Sequence, residues 1–218
     1  MRKIMLAIMA AALLAGCNVN NESKGESRGG NNQVQAASLQ NGDKYTNNPQ
    51  APATDTLKEI DQSFGDEDGE VILKALSDHK SAHTLGPIEL TIDEVKVMNY
   101  IPANHLIDYF HGFTHNETNF NYVKLKVTVK NNASQTVDFA PVSILETNEG
   151  EMKDFEDDFY LQSLHGQLKQ QEEKSGELAF IIDKTDPENL SNINITTSDV
   201  FNMEEEPLAE GETIQIEF

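Results

Sequence analysis

The sequence predicts a mainly β protein: an antiparallel β-sandwich over residues 86–218, preceded by short helices and a disordered tether. Three observations carry this reading. From residue 86 apolar residues recur with period two in short runs divided by Gly, Pro, Asn and Asp; that is the pattern of half-buried strands. Residues 57–80 instead carry apolar residues at helical spacing. Before them lies a polar stretch too poor in apolar residues to offset its ordering entropy.

The chain begins Met1-Arg2-Lys3, followed by "IMLAIMAAALLAG", which holds no charge. A positive start before a short apolar run is the pattern of an export signal, assigned to residues 1–16. The run is shorter than the roughly 20 apolar residues of a spanning helix. It ends at Cys17, the single cysteine among 218 residues. Residues 17–56 then read as a tether rich in Asn, Ser, Gly, Gln and Ala.

In residues 57–85, Asp55 or Thr56 is an N-cap, and Leu57, Ile60 and Phe64 follow at helical spacing. "GDEDG" interrupts, and Val71, Ile72, Ala75 and Leu76 resume on one helical face. The expectation is a helical N-terminal segment.

The strands follow in order. "PIELTIDEVKVMNY" places Ile88, Leu90 and Ile92 on one face, then Val95 and Val97. The parity flips across Asp93-Glu94, which predicts a β-bulge. "NFNYVKLKVTVKNN" alternates cleanly, with Val123, Leu125, Val127 and Val129 inward and Lys124, Lys126, Thr128 and Lys130 outward. Further strands are expected at 136–147, 176–182, 192–199 and 213–218. Between the first two lies "IPANHLIDYFHGFTHNETNF" (101–120), where Ala103–Phe110 suits a helical turn with Leu106, Ile107 and Phe110 inward. Several short strands in one such stretch argue for a sandwich.

Two sets of residues resemble known families. Leu14-Ala15-Gly16-Cys17 resembles the lipobox of bacterial lipoproteins. The resemblance implies that the Cys17 thiol receives diacylglycerol, that cleavage makes Cys17 the mature N-terminus, and that a further acyl chain such as palmitate is added. Two chains satisfy the arithmetic of stable anchoring, since one holds only marginally. Downstream, Val127, Val129, Asn131, Asn132, Phe139, Asn148 and Gly150, with Gly176, Leu178 and Phe180, resemble the telokin-like, immunoglobulin-like domains of unknown function in lipoproteins of Gram-positive bacteria. This likeness covers roughly residues 86–218 and implies an immunoglobulin-like sandwich with no established activity. The chain departs from the family at Gln170-Gln171, where Pro-Gly is usual.

Composition narrows the function. The formal charge is −21, and removal of residues 1–16 takes Arg2 and Lys3 with it, leaving −23. Such a chain repels nucleic acid, so no nucleic-acid partner is expected. With Cys17 lipidated there is no thiol for disulfides, redox chemistry or cysteine-ligated zinc.

Candidate chemistry centres on the 101–120 insertion. Tyr100, Tyr109, Phe110 and Phe113 are the candidate binding residues, as an aromatic-rich segment on a domain whose loops carry function. His105, Asp108, His111 and His115 are the candidate metal ligands, since imidazole and carboxylate together suit zinc. His111 and His115 are four apart, yet Gly112 and Thr114 argue against a helix between them. "FGDEDGEVILKAL" fails as a calcium loop: aligned on Asp66, Asp68 and Gly69, it has Phe64 and Ala75 where oxygen ligands are required. The acidic runs 154–159 and 203–207 read as solvated, while Phe155, Phe159, Tyr160 and Leu161 are expected to plug the first into the core. No catalytic residue is nominated: there is no phosphate loop and no free thiol.

The expectation is a non-enzymatic lipoprotein at the extracellular face of the cell membrane, held by the lipid on Cys17 and needing no other cofactor. It would use its immunoglobulin-like module as a binding or accessory unit for an envelope protein or peptide. The alternative is metal or small-molecule binding by the insertion.

Overall fold

The computed structural model describes residues 48–77 and 80–218. The expected export signal, Cys17 and most of the expected tether lie outside these residues. The described strands, in chain order, are β1 (Ser63–Asp66), β2 (Gly69–Ser77), β3 (Ser81–Leu85), β4 (Ile88–Pro102), β5 (Phe120–Asn131), β6 (Val137–Phe139), β7 (Ile144–Thr147), β8 (Met152–Asp154), β9 (Gly166–Leu168), β10 (Glu173–Ile182), β11 (Asn192–Thr196), β12 (Val200–Asn202), β13 (Pro207–Ala209) and β14 (Thr213–Glu217). One short helix, α1 (Ile107–Phe110), lies between β4 and β5. Among the described residues no helix is long and apolar enough to cross a membrane.

The fold is an immunoglobulin-like antiparallel β-sandwich. A large sheet runs β1-β2-β4-β5-β10, with β3 also paired to β4. Two smaller sheets, β14-β11-β7-β8 and β13-β12-β6-β9, complete it. The main core lies where one face of the large sheet meets the smaller sheets. It joins Val95, Val97, Val123, Leu125, Val127 and Val129 to Phe139, Leu145, Ile193 and Ile216. Burying each such side chain contributes about 1.5–3 kcal/mol, and the alternation along β5 puts four of them on one face.

The parity flip predicted at Asp93-Glu94 is real: the β4–β5 register shifts between Ile92 and Glu94. Asn131, from the family-like motif, ends β5 by donating to the carbonyls of Gln135, Leu168 and Lys169 and accepting from Ala133 N–H. Gln171, at the family's Gly position, adopts φ 58° in a turn closed by Glu172 N–H to Lys169 O at 3.0 Å. Its side chain ties that turn to the carbonyls of Asn132 and Ala133.

Five expectations need correction. The helical segment expected over 57–85 is strand from Ser63 onward. "GDEDG" is the turn of the β1–β2 hairpin, with Asp66 paired to Gly69. A register shift between Leu73 and Ala75 changes the parity of β2, and a bulge of this kind makes a strand imitate helical spacing. Ile60, placed on the helical face, is 56% exposed. Pairing along β4 overrides local propensity there.

Secondly, the strand expected at 136–147 breaks into β6 and β7, which belong to different sheets and flank Pro141. Likewise 192–199 yields β11 and then a crossing to β12. Thirdly, Phe159 and Tyr160 are buried, but Phe155 and Leu161 face solvent.

The fourth correction concerns the other face of the large sheet, which is not solvated. A second core covers it, built from Leu57, Val71, Leu73, Met98, Tyr100, Leu106, Phe110, Phe120, Tyr122, Phe159, Tyr160, Ala179 and Ile181. Lys124, expected outward, is fully buried there beside Lys96.

The fifth follows from it. Residues 48–56, assigned to the tether, are packed on the domain, and Gln50 and Thr54 are buried. Two buried ammonium groups need partners, and this strap supplies them. Lys96 Nζ donates to Thr54 O at 2.8 Å, and Lys124 Nζ to Thr54 Oγ1 at 2.5 Å. Glu94 and Glu177 complete the neutralisation at 2.8 and 2.5 Å.

Candidate functional site

The insertion between β4 and β5 is anchored by its own aromatic residues. The chain leaves β4 at Pro102, makes a 3-10 turn over Asn104–Leu106, continues into α1 and rejoins the sheet at Phe120. Phe110 meets Tyr100 edge-on at 5.5 Å between ring centroids, and Phe159 at 5.5 Å. Such pairs contribute about 0.5–1.5 kcal/mol beyond area burial. Tyr100 Oη donates to Asp68 O at 3.1 Å, and Tyr109 Oη to Phe159 O at 2.6 Å. Burial pushes the Tyr109 hydroxyl up to about 12.

The structure therefore gives the four candidate binding aromatics another place. Tyr100 and Phe110 are fully buried, and Tyr109 and Phe113 pack against the same cluster. They are the root of the insertion, not its outer surface.

The outer surface is polar and carries the histidines. His105 Nε2 contacts Asp68 Oδ1 at 2.9 Å, and Asp108 is exposed on α1. Neither joins the group that forms farther along. There His111, His115 and Glu117 each offer one ligand atom, and these atoms lie within 4.8 Å of one another. The His111 and His115 rings are 6.1 Å apart, and His111 Nδ1 is 2.5 Å from Glu117 Oε1. That hydrogen bond holds the Glu117 carboxyl below its ordinary range. So two of the four expected ligands converge, and the carboxylate is Glu117 instead of Asp108.

Glu117 has no periodic signal in the sequence. Its position comes from a turn in which Asn119 N–H donates to Asn116 O at 2.9 Å. The helical relation of His111 to His115 is nearly achieved despite Gly112. Thr114 N–H reaches Phe110 O at 3.1 Å, one residue before the histidine. Thr114 Oγ1 then donates to Asp183 Oδ1 at 2.6 Å and accepts from Asn116 N–H at 2.9 Å. The backbone carrying the group is thus fixed from both sides.

Two other ionisable arrangements stand out. Asp158, in the acidic run read as solvated, is buried, and burial raises its carboxyl to about 6 although Ala179 and Tyr160 N–H donate to it. Its other oxygen is 3.9 Å from His165 Nε2, and burial lowers the basicity of that ring. Among the described residues neither ring nitrogen of His165 has a hydrogen-bond partner. Asp66 and Asp68, the carboxylates on which the failed calcium loop was aligned, are occupied locally: Asp66 Oδ1 accepts from Asp68 N–H, and Asp68 holds His105.

A family model described as "Domain of unknown function (DUF4352)" matches residues 82–205. The chain belongs to this family. It is 34% identical over 237 aligned residues to the "Uncharacterized protein YdhF" of Bacillus subtilis (strain 168), covering 100% of both chains. It is also similar to a solved structure, "a functionally unknown protein from Listeria monocytogenes EGD-e", at 17% identity and a TM-score of 0.49, covering 69% of this chain and 88% of that one. Within the DUF4352 match lie β4, β5 and the whole insertion, so the His111–His115–Glu117 group sits inside the family domain.

Proposed function

We propose that this DUF4352 protein is a lipid-anchored, non-enzymatic binding module at the extracellular face of the cell membrane. The observation that carries the anchoring is Leu14-Ala15-Gly16-Cys17 at the end of an uncharged run. In this reading Cys17 carries the lipid, and the following chain joins a domain that grips it from Asn48 onward. The large acidic excess favours a domain repelled by anionic headgroups everywhere except at its anchor.

The insertion is the binding face of the module. It is rooted in the second core, lies between the two longest described strands, and leaves His105, Asp108, His111 and His115 exposed. Metabolic labelling with an alkynyl fatty acid tests the anchor. Wild-type protein incorporates the label and fractionates with membranes, and Cys17→Ala loses both properties. Equal labelling of the two proteins, or membrane association of Cys17→Ala at the wild-type level, refutes the assignment.

A further inference from the structure

We propose that the insertion binds a divalent late transition-metal ion, with Zn2+ as its probe, through His111, His115 and Glu117. The inference rests on reading the insertion as the binding face. Among the described residues no other trio of His, Cys, Asp or Glu side chains converges in this way. Its donors are two imidazoles and one carboxylate. That set favours Zn2+ and its neighbours Ni2+ and Cu2+, whereas Ca2+ and Mg2+ call for an all-oxygen shell of six or more.

The geometry is close to what coordination needs. Around tetrahedral zinc, with ligand bonds of about 2.0–2.1 Å, donor atoms stand about 3.3 Å apart. The ligand atoms here lie within 4.8 Å of one another. Both histidines are exposed, so rotation of their side chains can close that gap. The backbone need not move. It is rooted by Phe110 in the second core and by Thr114 on Asp183. His111 and Glu117 already share a hydrogen bond, and a cation taking the place of its proton would be held by the same two groups. Three protein ligands leave at least one coordination position to water. The site thus has the ligand count of an open centre, not of a closed structural one.

Isothermal titration of purified full-length protein with ZnCl2 tests this, with NiCl2 in parallel. The wild type is expected to give a saturable isotherm with one ion per chain. His111→Ala, His115→Ala and Glu117→Gln should each weaken binding at least about tenfold. His105→Ala and Asp108→Ala should leave it within about twofold, since neither belongs to the group. Circular dichroism melting of each variant verifies that it is folded, and all five positions are on the surface or partly so. Absence of saturable binding by the wild type overturns the proposal. So does wild-type affinity in the three ligand variants, or an equal loss in His105→Ala and Asp108→Ala. A chain that labels at Cys17 but binds no metal removes this inference and leaves the anchor standing. A chain that binds zinc but takes no lipid does the reverse.

Discussion

Replacing Asp158 by Asn should stabilise the protein at neutral pH and abolish a specific part of its pH dependence. Asp158 is 3% exposed, and burial raises its carboxyl from an ordinary 3.8 to about 6. An acid with a raised folded value binds more protons folded than unfolded between those two limits. Its contribution to stability therefore falls as pH rises from about 4 to about 6, and stays low above that. A shift of about two units corresponds to a ceiling of about 3 kcal/mol between the two plateaus. Asn keeps the oxygen that accepts from Tyr160 and Ala179 N–H. Its amide nitrogen takes the place of the oxygen facing His165 Nε2 at 3.9 Å, and that ring nitrogen has no hydrogen-bond partner. The expected gain for Asp158→Asn is about 1–2 kcal/mol at pH 7–8, shrinking to zero or slightly below at pH 4. Urea denaturation of wild type and variant across pH 4–8 measures it, because titrating groups remote from Asp158 cancel in the difference, and His165 beside it is the one neighbour whose own titration enters. A difference that does not change with pH, or a variant less stable at pH 8 than at pH 4 relative to wild type, refutes the reasoning.

Two further perturbations separate buried from exposed features of the same kind. Lys124→Met should cost about 2–3 kcal/mol, because it strands the Glu177 carboxylate and the buried Thr54 hydroxyl; Lys126→Met breaks an exposed contact to Asp55 and should cost less than about 0.5 kcal/mol. Hydrogen exchange over residues 48–57 should rise for the first variant only, and equal exchange in both would contradict the role of the strap. Gly69→Ala should destabilise by about 2–4 kcal/mol, since φ is +140° and a Cβ would stand 2.5 Å from Ile101 O. Gly150→Ala, at φ +81° with nothing within 4 Å, should cost only about 1 kcal/mol, and thermal melting that ranks the two in the opposite order would contradict the steric argument.

The sequence determined the main sandwich through period two alone. The alternation of Val123, Leu125, Val127 and Val129 can bury only one face, and the parity flip at Asp93-Glu94 demands the bulge that the register shows. It also located the short helical turn and the two histidines that converge. Several of its misjudgements share one physical cause: local pattern does not say what covers a residue. Lys124 sits at an outward position, yet the strap and a second core close over that face. Asp158 stands among solvated acids, yet its chain position is fixed by Phe159 and Tyr160 on the interior. The spacing along β2 imitated a helix because a bulge shifts its parity, and only pairing with β4 distinguishes the two. The aromatic residues of the insertion looked like a contact surface because a rigid root and an exposed patch have the same composition. Glu117 completes the group with His111 and His115 through a turn that no periodicity encodes. Composition and period decided which residues must be buried somewhere; the packing of one segment on another decided which polar residues are buried with them and which meet on the surface.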